Sequence, residues 1–257
     1  MNSMIEKLSA IPSELEAVKK PPSTLYTIGN QSLLAKRKIS IVGTRRPSQY
    51  TKAKTRELAE KFSALDMVVV SGGAMGVDAM AHTGAFPRTI AVMANSLDII
   101  YPAVNKKLIG MMQEEALVLS EYEATMRATR YTFVIRNRIV VALGEALIIT
   151  EADENSGTMR SAQIAIEMGK PIYVLSQRVG ESLGTQKLLQ EGHAKIITDI
   201  DAFIRKFGEI QAHDLGELEF FKSSPTLAES LVQFGDRLYE LELEGKITIK
   251  NLRVSLS

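Results

Sequence analysis

The amino-acid sequence predicts an α/β fold, a mainly parallel sheet with helices on both faces, and three observations carry that prediction. From Ile39 to Phe207, short β-branched apolar runs alternate with longer segments of helical period, the pattern of successive βαβ units. Several of those runs end in a glycine- or hydroxyl-rich turn that opens the next helical segment. The 257 residues, 45% of them apolar, are enough for one large α/β domain and a small appendage.

Seven strands are read in order: ISIVG (39–43), MVVVS (67–71), TIAVM (89–93), LVLS (117–120), ALIIT (146–150), PIYVLS (171–176) and KIIT (195–198). Segments 48–63, 76–85, 105–116, 132–144, 158–169 and 199–207 have the apolar spacing of helices packed on a sheet. Pro21-Pro22 and the polar stretch that follows mark residues 1–35 as a short N-terminal extension ahead of a domain over 36–208. Residues 209–221 read as a linker. In 222–257, Leu227, Leu231, Phe234, Leu238 and Leu241 follow a helical course, and the alternating run ITIKNLRV closes a small C-terminal domain.

Composition narrows the chemistry. With no cysteine there are no disulfides, no thiolate catalysis and no cysteine-ligated zinc, and His82, His193 and His213 stand at unrelated spacings. No metal or cofactor is expected. The start of the chain lacks a signal-peptide run and no stretch approaches eighteen apolar residues, so a cytoplasmic protein without membrane insertion is expected. The net charge of +1 hides an asymmetry: residues 209–257 hold five basic and nine acidic residues, which leaves +5 on the remainder. Any polyanion is expected on the body.

Four segments carry candidate chemistry. The first strand runs into Thr44-Arg45-Arg46, where backbone N–H groups and a guanidinium reach the rim of a site at the strand's carboxyl end. From Lys36 to Arg56 there are eight basic residues and no acidic one, although Lys52, Lys54 and Arg56 also suit a solvated helix face. The turn Ser71-Gly72-Gly73-Ala74 joins a strand to a helix without obstructing Cβ atoms, a natural seat for a phosphate. It lacks the Lys-Ser/Thr ending of a P-loop and the spacing of GxGxxG, which argues against ATP hydrolysis and NAD. Residues 127–138 combine Arg127, Arg130, Arg136 and Arg138 with Tyr131 and Phe133, cations for phosphates beside rings for bases. Two structural alternatives compete here: a core-anchoring role for either ring, and pairing of Arg136 or Arg138 with carboxylates. Finally Ser156-Gly157-Thr158, after Glu151, Asp153 and Glu154, offers another helix N-terminal anion pocket. The three acids read as structural rather than as metal ligands.

In order and spacing, IVGTRRPSQY, SGGAMGVDAMAH, LSEY with TFVIRNRIVVALGEALIITEA, SGTMRSAQIAIEMGKPIYVL and LLQEGHAKII resemble the DNA-processing protein A (DprA/Smf) family over roughly residues 36–200. The resemblance implies an extended Rossmann-like fold with a small winged-helix-like C-terminal domain. It further implies a non-enzymatic homodimer that binds single-stranded DNA, protects it and loads the recombinase RecA during natural transformation. Carried over residue by residue, the DNA pocket is Thr44, Arg45, Gly72, Gly73, Ala74, Arg130, Phe133 and Asn137, with Ser156, Gly157 and Thr158 nearby. The chain departs from the family pattern at Thr44, where serine is usual, at Ser176-Gln177 in place of Pro-Gly, and over Ala124 to Thr129, where Pro-Gly-Thr is usual. The acidic C-terminal domain is expected to serve protein contact rather than phosphate binding. The competing reading is a Rossmann-like nucleotide phosphoribohydrolase related to lysine-decarboxylase-like proteins. Against it, Ser161 stands where the glutamate of their PGGxGTxxE motif belongs.

Overall fold

Short runs of β-branched residues flanked by helix-forming segments pair into a sheet because both of their faces can be covered. In the computed structural model, which describes residues 4–208, 220–235, 237–243 and 245–256, every residue is buried in β3 (Lys38–Val42), β4 (Val68–Ser71), β5 (Thr89–Val92), β6 (Leu117–Ser120) and β7 (Leu147–Ile149). Strands β8 (Ile172–Leu175) and β9 (Lys195–Ile197) complete a seven-stranded parallel array. All seven coincide with the apolar runs read from the sequence.

The sheet also holds two strands that the sequence reading leaves inside the N-terminal extension. Strand β2 (Tyr26–Gly29) pairs antiparallel with β6, in register Tyr26↔Ser120, and β1 (Glu6–Lys7) pairs with β2. The order across the sheet is β1-β2-β6-β5-β4-β3-β7-β8-β9. The chain therefore builds outward from β3 in one direction, then crosses back to add β7, β8 and β9 on the other side. This Rossmann-like order puts a topological switch point between β3 and β7, where Ser40 faces Leu147 and Val42 faces Ile149.

Six helices connect these strands, α1 (Gln49–Ala64), α2 (Val77–Ala85), α3 (Lys106–Glu115), α4 (Arg130–Leu143), α5 (Gly157–Glu167) and α6 (Leu183–Gln190), and α7 (Ile200–Ile204) follows β9. Helix α1 packs on α2, and α4 on α5. Right-handed crossovers on either side of the reversal put these two pairs on opposite faces of the sheet. Gly84 permits the close approach of α2 to α1, since a Cβ there would lie 2.5 Å from the Arg56 carbonyl oxygen.

The chain divides into two compact units, 1–208 and 209–257. In the second, helices Leu227–Phe234 and Arg237–Leu243 precede a hairpin of Ile247–Lys250 with Arg253–Leu256. Its turn residues Asn251 and Leu252 both adopt positive φ, as a two-residue type I′ loop requires. Phe221, Leu238, Leu241, Ile247 and Val254 form its core, with Phe220 packed against it. Phe220 and Phe221 thus belong to this unit rather than to the linker, because its few helical leucines need those two rings to close an interior. Residues 209–219 of the expected linker lie outside the described residues. Among the described residues, no helix is long and apolar enough to cross a membrane, and no group of acidic or histidine side chains could hold a metal ion.

Candidate nucleic-acid interface

Helix N-termini and strand carboxyl ends converge at the switch point, and a cleft of about 450 Å³ opens there. Its walls come from the turn after β3 (Thr44, Arg45), the turn after β4 (Gly72, Ala74), one face of α4 (Phe133, Asn137) and the start of α5 (Ser156, Gly157, Thr158). Nine of the eleven residues carried over from the sequence therefore line one cavity. Gly73 and Arg130 do not.

Glycine lets the two phosphate-type turns lie against each other. Gly76 has φ +80°, and a Cβ there would come within 2.5 Å of the Thr44 carbonyl oxygen and 2.7 Å of the Arg45 Cα. Hydrogen bonds lock the turns together: Val77 N–H donates to Thr44 O at 3.1 Å and Thr44 N–H to Glu151 O at 2.8 Å. The Glu151 carboxylate accepts from Ser48 N–H at 3.0 Å, so this acid occupies the N-terminus of α1. Its role is structural, as expected.

Behind the Gly72-Gly73 turn sits a buried polar core. Arg136, 4% exposed, donates through Nη1 to the carbonyl oxygens of Gly72 and Val92, tying the ends of β4 and β5 together. Burial pushes its pKa down to about 10, an effect opposed by Asp78 across from it. Its Nε is buried and has no partner among the described residues. Asp78 in turn accepts from Ala74 N–H at 3.3 Å, and burial raises its carboxyl pKa against the pull of Arg136.

His82 is fully buried, and its pKa falls to about 3, first through burial and then through the nearby Arg136 charge. The neutral ring has one tautomer that satisfies every partner. Gly73 N–H donates to Nε2 at 3.2 Å, Nδ1–H then donates to Thr89 Oγ1 at 2.7 Å, and Thr89 passes a hydrogen bond to Val69 O at 2.8 Å. Gly73 therefore spends its N–H inward on His82 and is not available to a ligand. Asn105 holds the same turn from the other side, donating to Gly73 O at 3.1 Å and Ala74 O at 3.0 Å. His82, Asn105 and the floor position of Arg136 are site residues that the sequence reading missed. An isolated histidine or asparagine gives no motif, and the partner of Arg136 is a pair of backbone carbonyls with no sequence signature.

The mouth of the cleft carries unpaired cations and aromatic rings. The Arg45 guanidinium lies 4.9 Å from the Phe133 ring centroid, and the Tyr101 ring lies 6.0 Å from Phe133 on a 50° tilt. Arg45 has no carboxylate within ion-pair distance among the described residues. Of the two candidate rings, Phe133 lines the cleft. Tyr131 is 72% exposed and is not part of the cleft lining.

Ion pairing sorts the rest of the basic run. Lys36, Arg37, Lys38, Lys54 and Arg56 are each paired with a carboxylate, whereas among the described residues Arg45, Arg46 and Lys52 are not. Lys54 and Arg56 thus take the bland solvated role. Arg138 is structural too: it forms a bidentate pair with Glu121 at 2.7 Å and donates to Lys20 O at 2.7 Å. Arg130 begins α4 after the capping box of Thr129 and Thr132, in a first turn that contains no acid. A cation there works against the helix dipole and adds to the positive field outside the cleft. Helix α5 likewise has no acid in its first turn, Ser156 makes no side-chain capping bond, and among the described residues the buried Ser156 Oγ has no partner. A helix end of this kind suits an anion.

Two of the departures acquire a structure. Gln177 Nε2 donates to Thr51 Oγ1 at 3.0 Å and Thr150 O at 2.8 Å, pinning the turn after β8 to α1. In the segment before α4, Thr125 adopts φ +72° and its N–H bonds the Asp98 carboxylate, while Met126 O accepts from Ser96.

The fold and cleft define the class: a Rossmann-like α/β protein with a cationic, anion-seating cleft at the switch point of its sheet. The model of the family DNA recombination-mediator protein A matches residues 3–208, and the chain belongs to that family. It is 34% identical over 198 residues to DNA processing protein DprA of Bacillus subtilis, covering 75% of this chain and 67% of that one. Protein Smf of Synechocystis is 33% identical over 215 residues, 80% of this chain but 54% of its own. A solved structure concerned with the single-stranded DNA binding mode of DNA processing protein A from Helicobacter pylori aligns with TM-score 0.79 at 42% identity, over 80% of this chain and 96% of that one. DprA of Streptococcus pneumoniae aligns with TM-score 0.72 at 31% identity, over 77% and 72%.

Proposed function

We propose that the chain captures single-stranded DNA with little sequence preference, seating phosphates on Arg45 and the N-terminus of α5 and a base against Phe133. The observation that carries this reading is the exposed Arg45 guanidinium, without a carboxylate partner among the described residues, poised over the Phe133 ring beside an uncapped helix end. Charge for phosphates and a ring for any base are the two requirements of sequence-tolerant single-strand binding. The single-stranded DNA binding mode described for the Helicobacter pylori relative supports it further.

The mechanism is capture rather than bond making. Of the three acids lining the cleft, Asp78 is engaged by the Gly-Gly turn and Glu151 by α1, which leaves Asp153, and Ser161 occupies the place of the carboxylate that a phosphoribohydrolase would need. The recombination-mediator family supports a role in handing the strand to the recombinase RecA during natural transformation. A homodimer would present two clefts to one strand and raise the effective concentration of each.

The test is a salt titration of binding to fluorescent oligo-dT. Arg45→Ala should lower affinity and reduce the slope of log K against log salt by about 0.7, the contribution of one phosphate on a single strand. Phe133→Ala should cost about 1–3 kcal/mol with the slope unchanged. A wild-type protein that leaves oligo-dT unbound refutes the proposal.

A further inference from the structure

A second hollow, also about 450 Å³, lies at the same edge of the sheet and is lined by Ser48, Tyr50, Ser176, Gln177, Arg178 and Glu181. Arg46 lines the first cleft and Ser48 this one, so their nearest rims are two residues of chain apart, at most about 7 Å. The ridge between them is the Ser48 N–H bonded to the Glu151 carboxylate. That separation is one or two steps of a nucleic-acid strand, which rises about 3.4 Å per nucleotide when stacked.

We propose that this hollow is a second base-stacking subsite, occupied by the nucleotide that leaves the first cleft past Arg46. The inference rests on the single-strand reading above. Tyr50, in the first turn of α1, presents an aromatic ring that is 46% exposed. The exposed Arg178 has no carboxylate within ion-pair distance among the described residues.

The frame of the hollow is preformed. Glu181 N–H donates to Arg178 O at 3.0 Å, and Gln186 Nε2 donates to Arg178 O at 2.9 Å and Glu181 O at 2.8 Å. With Gln177 anchored to Thr51 and Thr150, the loop holds its backbone shape and leaves the side chains of Arg178 and Glu181 for a ligand. Glu181 repels phosphate and accepts hydrogen bonds from base N–H groups, so the hollow takes a base, and Arg178 at its rim takes the adjoining phosphate.

Thymidine monophosphate, which fills one subsite, and oligo-dT of about 12 nucleotides, which fills several, are the two ligand lengths that distinguish this proposal from the reading it rests on. Tyr50→Ala and Arg178→Ala should each weaken the 12-mer roughly fivefold or more and leave the monophosphate unchanged, while Phe133→Ala weakens both. Unchanged urea midpoints establish that the variants are folded. Equal losses at both lengths, or no loss at either, overturn the second subsite while the first cleft stands. A wild type that binds neither length overturns both.

Discussion

Gly72 and Gly157 both line the first cleft, and an alanine at each separates what the fold requires from what the ligand requires. A Cβ on Gly72 would sit 2.5 Å from Arg136 Nη1 and 2.6 Å from Cζ and Nη2. The guanidinium cannot retreat without losing its bonds to Gly72 O and Val92 O. Hydrogen bonds to a charged group contribute about 1.5–3 kcal/mol each, and a buried charge stripped of partners costs about 3–5 kcal/mol. At an m-value of about 2.5 kcal/mol/M, Gly72→Ala should lower the urea midpoint by more than about 1 M. A Cβ on Gly157 meets nothing within 4 Å, so the protein itself has no use for glycine there. Gly157→Ala should hold the midpoint or raise it by a few tenths of a molar unit, since alanine outperforms glycine in a helix by about 0.5–1 kcal/mol. It should nevertheless weaken oligo-dT binding about tenfold, because the added methyl blocks approach to the first N–H groups of α5, a loss of about one charged hydrogen bond. A Gly72→Ala protein with a wild-type midpoint refutes the wedge of Arg136 under the turn. A Gly157→Ala protein with wild-type affinity refutes the α5 anion seat.

Other predictions follow the same division. Arg138→Leu leaves Glu121 without its bidentate partner and should destabilise by about 3 kcal/mol in urea, while oligonucleotide affinity of the folded fraction is retained. Arg130→Ala should do the reverse, reducing the salt slope of binding by about 0.7 and stabilising by a few tenths of a kcal/mol as the clash with the α4 dipole disappears. His82 fixes a pH dependence. Above its ordinary pKa of 6.5 the ring is neutral folded or unfolded; below it the unfolded chain takes up a proton that the folded chain refuses until about pH 3. Stability should therefore fall by up to about 1.4 kcal/mol per pH unit as pH drops below 6.5, and His82→Asn should flatten that part of the profile in urea titrations between pH 7 and 5.

The parallel core was legible because each of its strands is a run of β-branched residues bounded by a turn, a signal that buried strands cannot avoid giving. Tyr26–Gly29 escaped because it pairs antiparallel, follows two prolines and lacks the flanking α-helical segments that mark the parallel strands. Gln177 and Asn105 escaped because each holds backbone from far along the chain. For the site, the turn after the first strand singled out Arg45 and the helical spacing set Arg56 apart, while the choice of Phe133 over Tyr131 came from the family resemblance. In space Arg56 pairs with Glu60, whereas among the described residues Arg45 has no carboxylate within ion-pair distance. The inward N–H of Gly73 shows the limit from the other side. A glycine pair after a strand looks like two donors for a ligand, yet one of them is consumed by a histidine nine residues away.

The reversal in strand order also means that the cleft is a seam. One wall is drawn from residues 42–78 and the other from residues 133–161, and α4 carries the chain from the first half of the sheet to the second. A polymer gripping both walls fastens the halves together, and at a hundredfold excess over its dissociation constant it adds about 2.7 kcal/mol to the free energy of unfolding. Where that polymer is the proposed single strand, limited proteolysis with and without oligo-dT should show the loaded molecule opening less readily than the empty one.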